Sequence, residues 1–371
     1  MSKTLQDYAT LINDTIQSNE INHYITTDNM CQNLGGIDTF KNINIPQGKV
    51  RSFQKDDVLL SNIRLYFRKV YRAKQKGGCS SDVLVFRAKH IDSATLFAIL
   101  SSQIFTDYAC SGSQGSKMPR GNKTHMMDFK IPTINFTIAK IFNSIQNKIE
   151  KNHKINELLH KILELLYEQY FVRFDFLDEN NKPYQTSGGK MKFSKELNRL
   201  IPNDFEVKTL GELTQLKVGN KNANHSSNKG KYPFFTCSNN PLRCETYQFE
   251  GKHIIISGNG NFYVTHYDGK FDAYQRTYVV NPNNPNHYVL IYLFVKSYTN
   301  YLKLQSRGSI IKFITKSDIE NIKIVLPNLK TYAKWNNVLK MIENNNQSTQ
   351  TLTALRDFLL PLLLKQQVKP Q

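Results

Sequence analysis

A chain of 371 residues, 40% hydrophobic and 21% charged, is globular rather than disordered and long enough for two or three domains. It has no run of ~18 apolar residues and no apolar leader after Met1, and its five cysteines (Cys31, Cys79, Cys110, Cys237, Cys244) form no CxxC pair. That composition predicts a cytoplasmic protein and argues against a membrane span, a disulfide framework and a zinc ribbon. The formal charge of +19, from 49 Lys and Arg against 30 Asp and Glu, points to an anionic partner. With no basic amphipathic helix and no lipid signal, nucleic acid is favoured over a membrane surface, beside the plain alternative of a basic protein from a lysine-rich genome.

In chain order, "KDDVLLSN", "SSDVLVFRA" and "MDFKIP" read as strands between Gly, Asn and Ser turns. "DSATLFAILSSQIFTDYA" (Asp92 to Ala109) reads as one helix capped by Asp92 or Ser93. From Thr137 to about Phe174 there is neither Gly nor Pro, and Ile145, Ile149, Leu159, Ile162 and Leu166 recur at alternating steps. This predicts a helix with a coiled-coil-like seam, about 35 residues and roughly 50 Å long. "DENNKPYQTSGGK" is a turn-rich connector that ends it. Beyond lie "LIPNDFEVKTLGELTQLKVGN", the strands "KHIIISGNGNFYV" and "AYQRTYVVNPNN", and the helix "HYVLIYLFVKSYTNYLKLQ". A second seamed helix follows over 332–365, with Val338, Ile342, Leu352, Leu355 and Leu359, and Pro361 kinks or ends it.

The two halves repeat each other. At a shift of 193 positions, "GSKMPRGNKTHMMDFKIP" falls on "GSIIKFITKSDIENIKIVLP", matching Gly115 with Gly308, Ser116 with Ser309, and setting Met118 against Ile311. The same shift pairs Ile149 with Ile342, Leu159 with Leu352, Ile162 with Leu355 and Leu166 with Leu359, and "DVLLSN" matches "HIIISG" at 196. A repeat this long is a domain plus a helix, so the chain is a tandem duplication ordered globular, long helix, globular, long helix. Both seams are interrupted, by Asn152 and Asn156 and by Asn345 and Thr349. Such polar positions either fix register at a cost in stability or are simply solvated.

No catalytic constellation emerges. Glu206-x-Lys208 imitates half of a metal-dependent nuclease site, but such a site needs a further carboxylate one strand away, and Asp178 and Glu179 lie in a loop-like connector. "SGNGNF" lacks the third glycine and the following helix of a dinucleotide loop, and no Asn-Pro-Pro-aromatic motif is present. His153 and His160 stand seven apart on a helix without a ligand pattern around them. No catalytic, cofactor-binding or metal-ligating residues are therefore assigned. What remains is recognition, by polar residues beside glycines that can reach base edges or phosphates: Ser61, Asn62, Arg64, Arg68, Lys117 and Arg120 in the first copy, Asn259, Asn261, Arg276, Arg307, Ser309 and Lys312 in the second.

The wording of the chain resembles the DNA-specificity subunit of type I restriction–modification systems. The resemblance is carried, in the family's order, by "YITTDNM", "DDVLLSNIRLYFRKV", "GGCSSDVLVF", "GSQGSKMPR", "LLYEQYFVRFDFLDENNKPYQTSGGKM", "IPNDFEVKTLGEL" and "GSIIKFITKSDIENIKIVLP". It implies an α+β chain of two α/β target recognition domains related by duplication and separated by two long antiparallel helices. Its expected bounds are a first recognition domain over 1–137, a spacer helix over 138–177, a connector over 178–204, a second recognition domain over 205–327 and a second spacer helix over 328–371. It further implies a non-catalytic subunit that reads a split target on double-stranded DNA and docks two methyltransferase (modification) subunits, which restriction subunits join. S-adenosylmethionine, Mg and ATP then belong to those partners, and the site of action is the prokaryotic nucleoid. The alternatives are a stand-alone DNA methyltransferase or nuclease with a duplicated DNA-binding region, and an assembly scaffold that does not bind DNA.

Overall fold

The computed structural model describes residues 3–38, 41–131, 134–227, 230–238, 240–309, 311–327, 332 and 334–364. Readings that fall on Pro132, Ile310, 328–331, 333 or 365–371 lie outside the described residues. The chain divides into two compact units, Met1–Lys154 with Asn345–Gln371, and Ile155–Asn344, so the division falls inside both long helices.

In the first unit an antiparallel sheet runs in the order Ala9–Ile12, Val83–Ala88, Val58–Ser61, Val70–Arg72. In the second the order is Thr214–Val218, Thr277–Pro282, Lys252–Ser257, Val264–Asp268, strand for strand the same topology. The inner strands read as unbroken apolar runs because both faces are buried. Val58 and Leu60 pack under the helices while Leu59 faces a second cluster with Phe53 and Ile25. Ile254, Ile256 and Ile255 divide in the same way. Each unit adds a smaller sheet built on one parallel pair, Tyr24–Ile25 with Gly77–Cys79 and Tyr232–Phe235 with Asp272–Ala273. The duplication is thus one of topology as well as wording.

Four expected elements differ. The helix over Asp92 to Ala109 is two, Ser93–Leu100 and Gln103–Ser111, because the Ser102 side chain accepts from Phe105 N and starts a new helix. Asp92 caps the first of them through Thr95 N. Its counterpart likewise divides at Tyr298 into Tyr288–Ser297 and Thr299–Gln305. "MDFKIP" is not a strand: Met127 ends the helix Lys123–Met127, and Lys130 makes only an isolated bridge to Thr4. In the second copy the equivalent Lys323–Leu326 is a full strand, because Glu206–Thr209 lies alongside it. The turn-rich connector also holds a hairpin, Met191–Ser194 with Arg199–Pro202.

The long helices span Phe136–Tyr167, continued by a wider turn over Glu168–Val172, and Trp335–Leu363 with Pro361 inside it. The first starts at Phe136 because the Asn135 side chain accepts from Ile138 N. Their pairing is antiparallel. In the first unit Asn135 N donates to Leu363 O, Gln146 Oε1 accepts from Arg356, and Asn152 Nδ2 donates to Thr349 Oγ1. In the second Asn156 Nδ2 donates to Ile342 O and Tyr170 packs edge-on against Trp335. Asn152 and Asn156 are buried and hydrogen-bonded, so the solvated reading of these two positions fails.

The seam also corrects two expected members. Ile145 and Ile149 are buried as expected, but Ile162 is 47% exposed and Leu163 is fully buried in its place. A 3.5-residue repeat continued from Ile149 passes Asn152, Asn156 and Leu163, so a step of three placed one residue early drifts off the face. In the second helix Leu355 is exposed for the same reason, while Ile342 is buried as expected and Leu339, Leu360 and Leu363 are buried with it. Leu163→Ala is expected to destabilise the second unit by about 2–5 kcal/mol in chemical denaturation, and Ile162→Ala by less than about 1 kcal/mol. Equal costs would show that Leu163 does not carry the seam.

Candidate nucleic-acid interface

The expected contact residues gather, in each unit, around one loop docked on the end of the central strand. In the first unit Gln114 and Arg120 bridge reciprocally (N to O 2.9 and 2.8 Å), closing a loop with Gly115 at φ +95°. That loop is fastened to the residues after the strand Val58–Ser61: Arg64 N donates to Pro119 O at 2.9 Å and Gly121 N to Asn62 O at 3.1 Å. In the second unit Arg307 and Phe313 bridge in the same way (3.0 and 2.9 Å), with Gly308 at φ +97°. Gly260 N then donates to Lys312 O at 2.9 Å, and Ile314 N to Gly258 O at 3.0 Å. Every one of these bonds has its counterpart at a shift of 193 or 196 residues. The same device has been built twice.

The side chains sort into two groups. Ser61 is buried and its Oγ donates to Ile63 O at 3.1 Å, so it shapes the turn and presents nothing outward. Arg68 is also inward: its Nη2 donates to Ser101 O at 2.9 Å, and burial pushes its guanidinium down from the ordinary value. Asn62 and Asn259 are half-buried, each with an enclosed Oδ1 that has no hydrogen-bond partner among the described residues. Arg64, half-buried with φ at +50°, donates to Lys117 O at 3.3 Å, and this holds the exposed Lys117 at the loop. Arg120 is exposed and pairs with Asp82 at 2.9 Å.

In the second unit Arg307 pairs with Asp318 at 3.3 Å. Burial opposes ionisation of Asp318, but its bonds from Thr315 and the charge of Arg307 outweigh that and hold it below the usual carboxylate range. Ser309 and Lys312 are exposed on the loop. Exposed Asn261 donates to the Tyr263 hydroxyl at 3.1 Å, and exposed Arg276 sits where its carbonyl accepts from Gly258 N at 2.7 Å. The loops therefore present cations on a hydrogen-bonded frame.

Beside these polar side chains, two apolar ones outside the sequence-based set stand on the same loops. Met118 and Ile311 occupy equivalent places in the two loops and are 53% and 61% exposed. An apolar residue kept in both copies of a Gly-Ser turn was the signal that marks them. Tyr66, also exposed, stands beside the first loop's anchor. The carboxylate of Asp178 accepts from Asn180 N and Lys182 N, so it caps its own turn, and Glu206 belongs to a strand paired with Lys323–Leu326.

The two loops differ in tolerance. A Cβ on Gly308 would stand 2.3 Å from Ile311 O, whereas on Gly115 it would meet nothing closer than Met118 O at 3.6 Å. Both glycines have positive φ, so alanine is strained at either, by roughly 1–2 kcal/mol. Gly308→Ala is expected to add a backbone clash, opening the second loop. Faster exchange of the Phe313 amide than in Gly115→Ala protein checks this, and equal exchange would refute it.

Residues 202–355 match the family model described as the type I restriction modification DNA specificity domain. The chain is 38% identical over 132 residues to the type I restriction enzyme EcoDI specificity subunit of Escherichia coli, a stretch covering 34% of this chain and 28% of that protein. It is 24% identical over 301 residues to the type I restriction enzyme MjaIX specificity subunit of Methanocaldococcus jannaschii, covering 72% of this chain and 67% of the other. A crystal structure of the type I restriction–modification system S subunit from M. genitalium shares the fold with a TM-score of 0.62 at 15% identity, over 99% of this chain and 96% of that one. Among the described residues no helix is long and apolar enough to cross a membrane. Residues 202–355 are thus similar to the specificity domain of type I restriction–modification systems, and the two relatives compared are themselves named specificity subunits.

Proposed function

We propose that the chain reads a bipartite sequence on double-stranded DNA, one half with each unit, and contributes recognition rather than catalysis. The observation that carries this is the repeated loop, fastened by the same backbone bonds in both units and bearing Lys117 and Arg120 in one, Arg307 and Lys312 in the other. Cations on such loops neutralise phosphates and set the register on the duplex. Asn261, Arg276 and Ser309 offer hydrogen bonds to base edges, and Met118 and Ile311 offer apolar contact with a thymine methyl. The paired helices act as a spacer between half-sites and as the docking surface for two methyltransferase subunits, to which restriction subunits attach. S-adenosylmethionine, Mg and ATP are held by those partners.

The test uses the chain assembled with its methyltransferase subunits. Affinity for duplex DNA is expected to fall by roughly 10³–10⁵ between 50 and 200 mM salt if six to ten phosphates are contacted. The chain alone is expected neither to methylate nor to cut DNA. Absence of duplex binding would favour a pure scaffold, and activity of the isolated chain would favour a stand-alone enzyme.

A further inference from the structure

We propose that His225, Cys244 and Asp272 bind a divalent transition-metal ion of the zinc class, which ties the small sheet of the second unit together. One ligand atom from each of these residues lies within 4.8 Å of the others. His225 ends the short helix Ala223–His225, Cys244 ends the strand Leu242–Cys244, and Asp272 begins the strand Asp272–Ala273. His225 Nε2 is 3.5 Å from Asp272 Oδ2, and the Thr246 hydroxyl stands between them, 2.8 Å from the imidazole and donating to the carboxylate at 2.6 Å.

Two further features point to a cation. Asp272 has no exposed surface, and its second oxygen, Oδ1, is enclosed with no hydrogen-bond partner among the described residues. A buried carboxylate with an unsatisfied oxygen is costly unless a positive charge meets it. Cys244 is buried beside it, its thiol directed at Thr246 O at 3.2 Å. When a divalent ion binds, the thiol loses its proton to solvent. Thiolate and carboxylate then balance the two positive charges, and neutral imidazole is the third ligand. Three protein ligands of this kind suit zinc, with a fourth position left for water or the Thr246 hydroxyl.

The ion would stabilise the segment that folds over this sheet. It would not be shared by the first copy. There the residue opposite Tyr24 on the parallel strand is Gly78, in the place that Asp272 takes opposite Phe234. The site is a property of the second unit, added to a duplicated frame.

The experiment uses the full chain, exposed to Zn²⁺ or Co²⁺ and dialysed. About one ion per chain should be retained, and the cobalt form should show a thiolate-to-metal charge-transfer band. Cys244→Ser and His225→Ala should each abolish the band and weaken cobalt binding by about 10-fold or more, while Cys237→Ser keeps both. A chelator should lower the thermal midpoint of the unmodified chain and leave that of Cys244→Ser unmoved. Should the variants fail to fold, the unmodified chain and Cys237→Ser still decide the matter. No retained metal and no band in the unmodified chain would overturn the proposal and leave a His225–Thr246–Asp272 hydrogen-bond network. A band that follows Cys237 rather than Cys244 would overturn the assignment.

Discussion

On the proposed reading, replacing residues 1–137 with the matching module of a related specificity subunit is expected to change one half of the methylated sequence and to leave the other half and the gap intact. Each unit has cores of its own: Val58, Leu60 and Phe97 belong to the first, Ile254, Ile256 and Leu290 to the second. Each loop is fastened to the strand end of its own unit, through Arg64 and Gly121 in one and Gly260 and Ile314 in the other. A good base-edge pair is worth about 1–3 kcal/mol of discrimination, so losing several from one module erases that half-site. Nothing in the exchange touches Asn259, Arg307 or Lys312. Lengthening the helices should do the opposite, altering the gap and neither half. The readout is methylation mapping of DNA modified by the assembled complex. If both half-sites changed after one module was exchanged, the two units would be a single reading surface.

The second large effect is on stability. Asp57 is buried at the foot of the strand Val58–Ser61 and forms a two-pronged ion pair with Arg87, with both N to O distances 2.8 Å. The same carboxylate accepts from Gln54 N at 2.8 Å. Val58 pairs with Phe86 in the ladder, so the ion pair closes the end of the two central strands. Removing one partner of a fully buried pair costs about 3–5 kcal/mol. The Arg87 side chain is 35% exposed and can recover some hydration, which brings the expected cost of Asp57→Ala to roughly 2–4 kcal/mol. Hydrogen exchange should quicken across Val58–Ser61 and Val83–Ala88 while Lys252–Ser257 stays protected. A loss below about 0.5 kcal/mol would show the pair to be a surface contact.

Much of the fold was legible because the signals were local. Gly115 and Gly308 both require left-handed backbone, which selects the same residue in both copies and leaves the repeat visible. The long helices were legible from their apolar period, but not the face at Leu163. One residue of phase decides whether a side chain is buried, and only the partner helix sets that phase. The break at Ser102 escaped because a serine inside a helix and a serine that caps a new one look alike until the backbone turns.

The amino-acid sequence by itself determined that this chain is a basic, duplicated α+β protein with two seamed helices, because duplication, charge and periodicity are properties of residue order. It also carries, in order along the chain, motifs that resemble those of type I specificity subunits. Only the tertiary structure decided which polar residues face outward. Ser61 and Arg68 are the same chemical types as Ser309 and Arg276, yet the first two satisfy the interior and the latter two are exposed. It alone joined His225, Cys244 and Asp272, which lie on three separated segments and share no spacing motif. Contacts between residues distant in the chain depend on how strands register and loops dock, and residue order records that only through the packing of the whole unit.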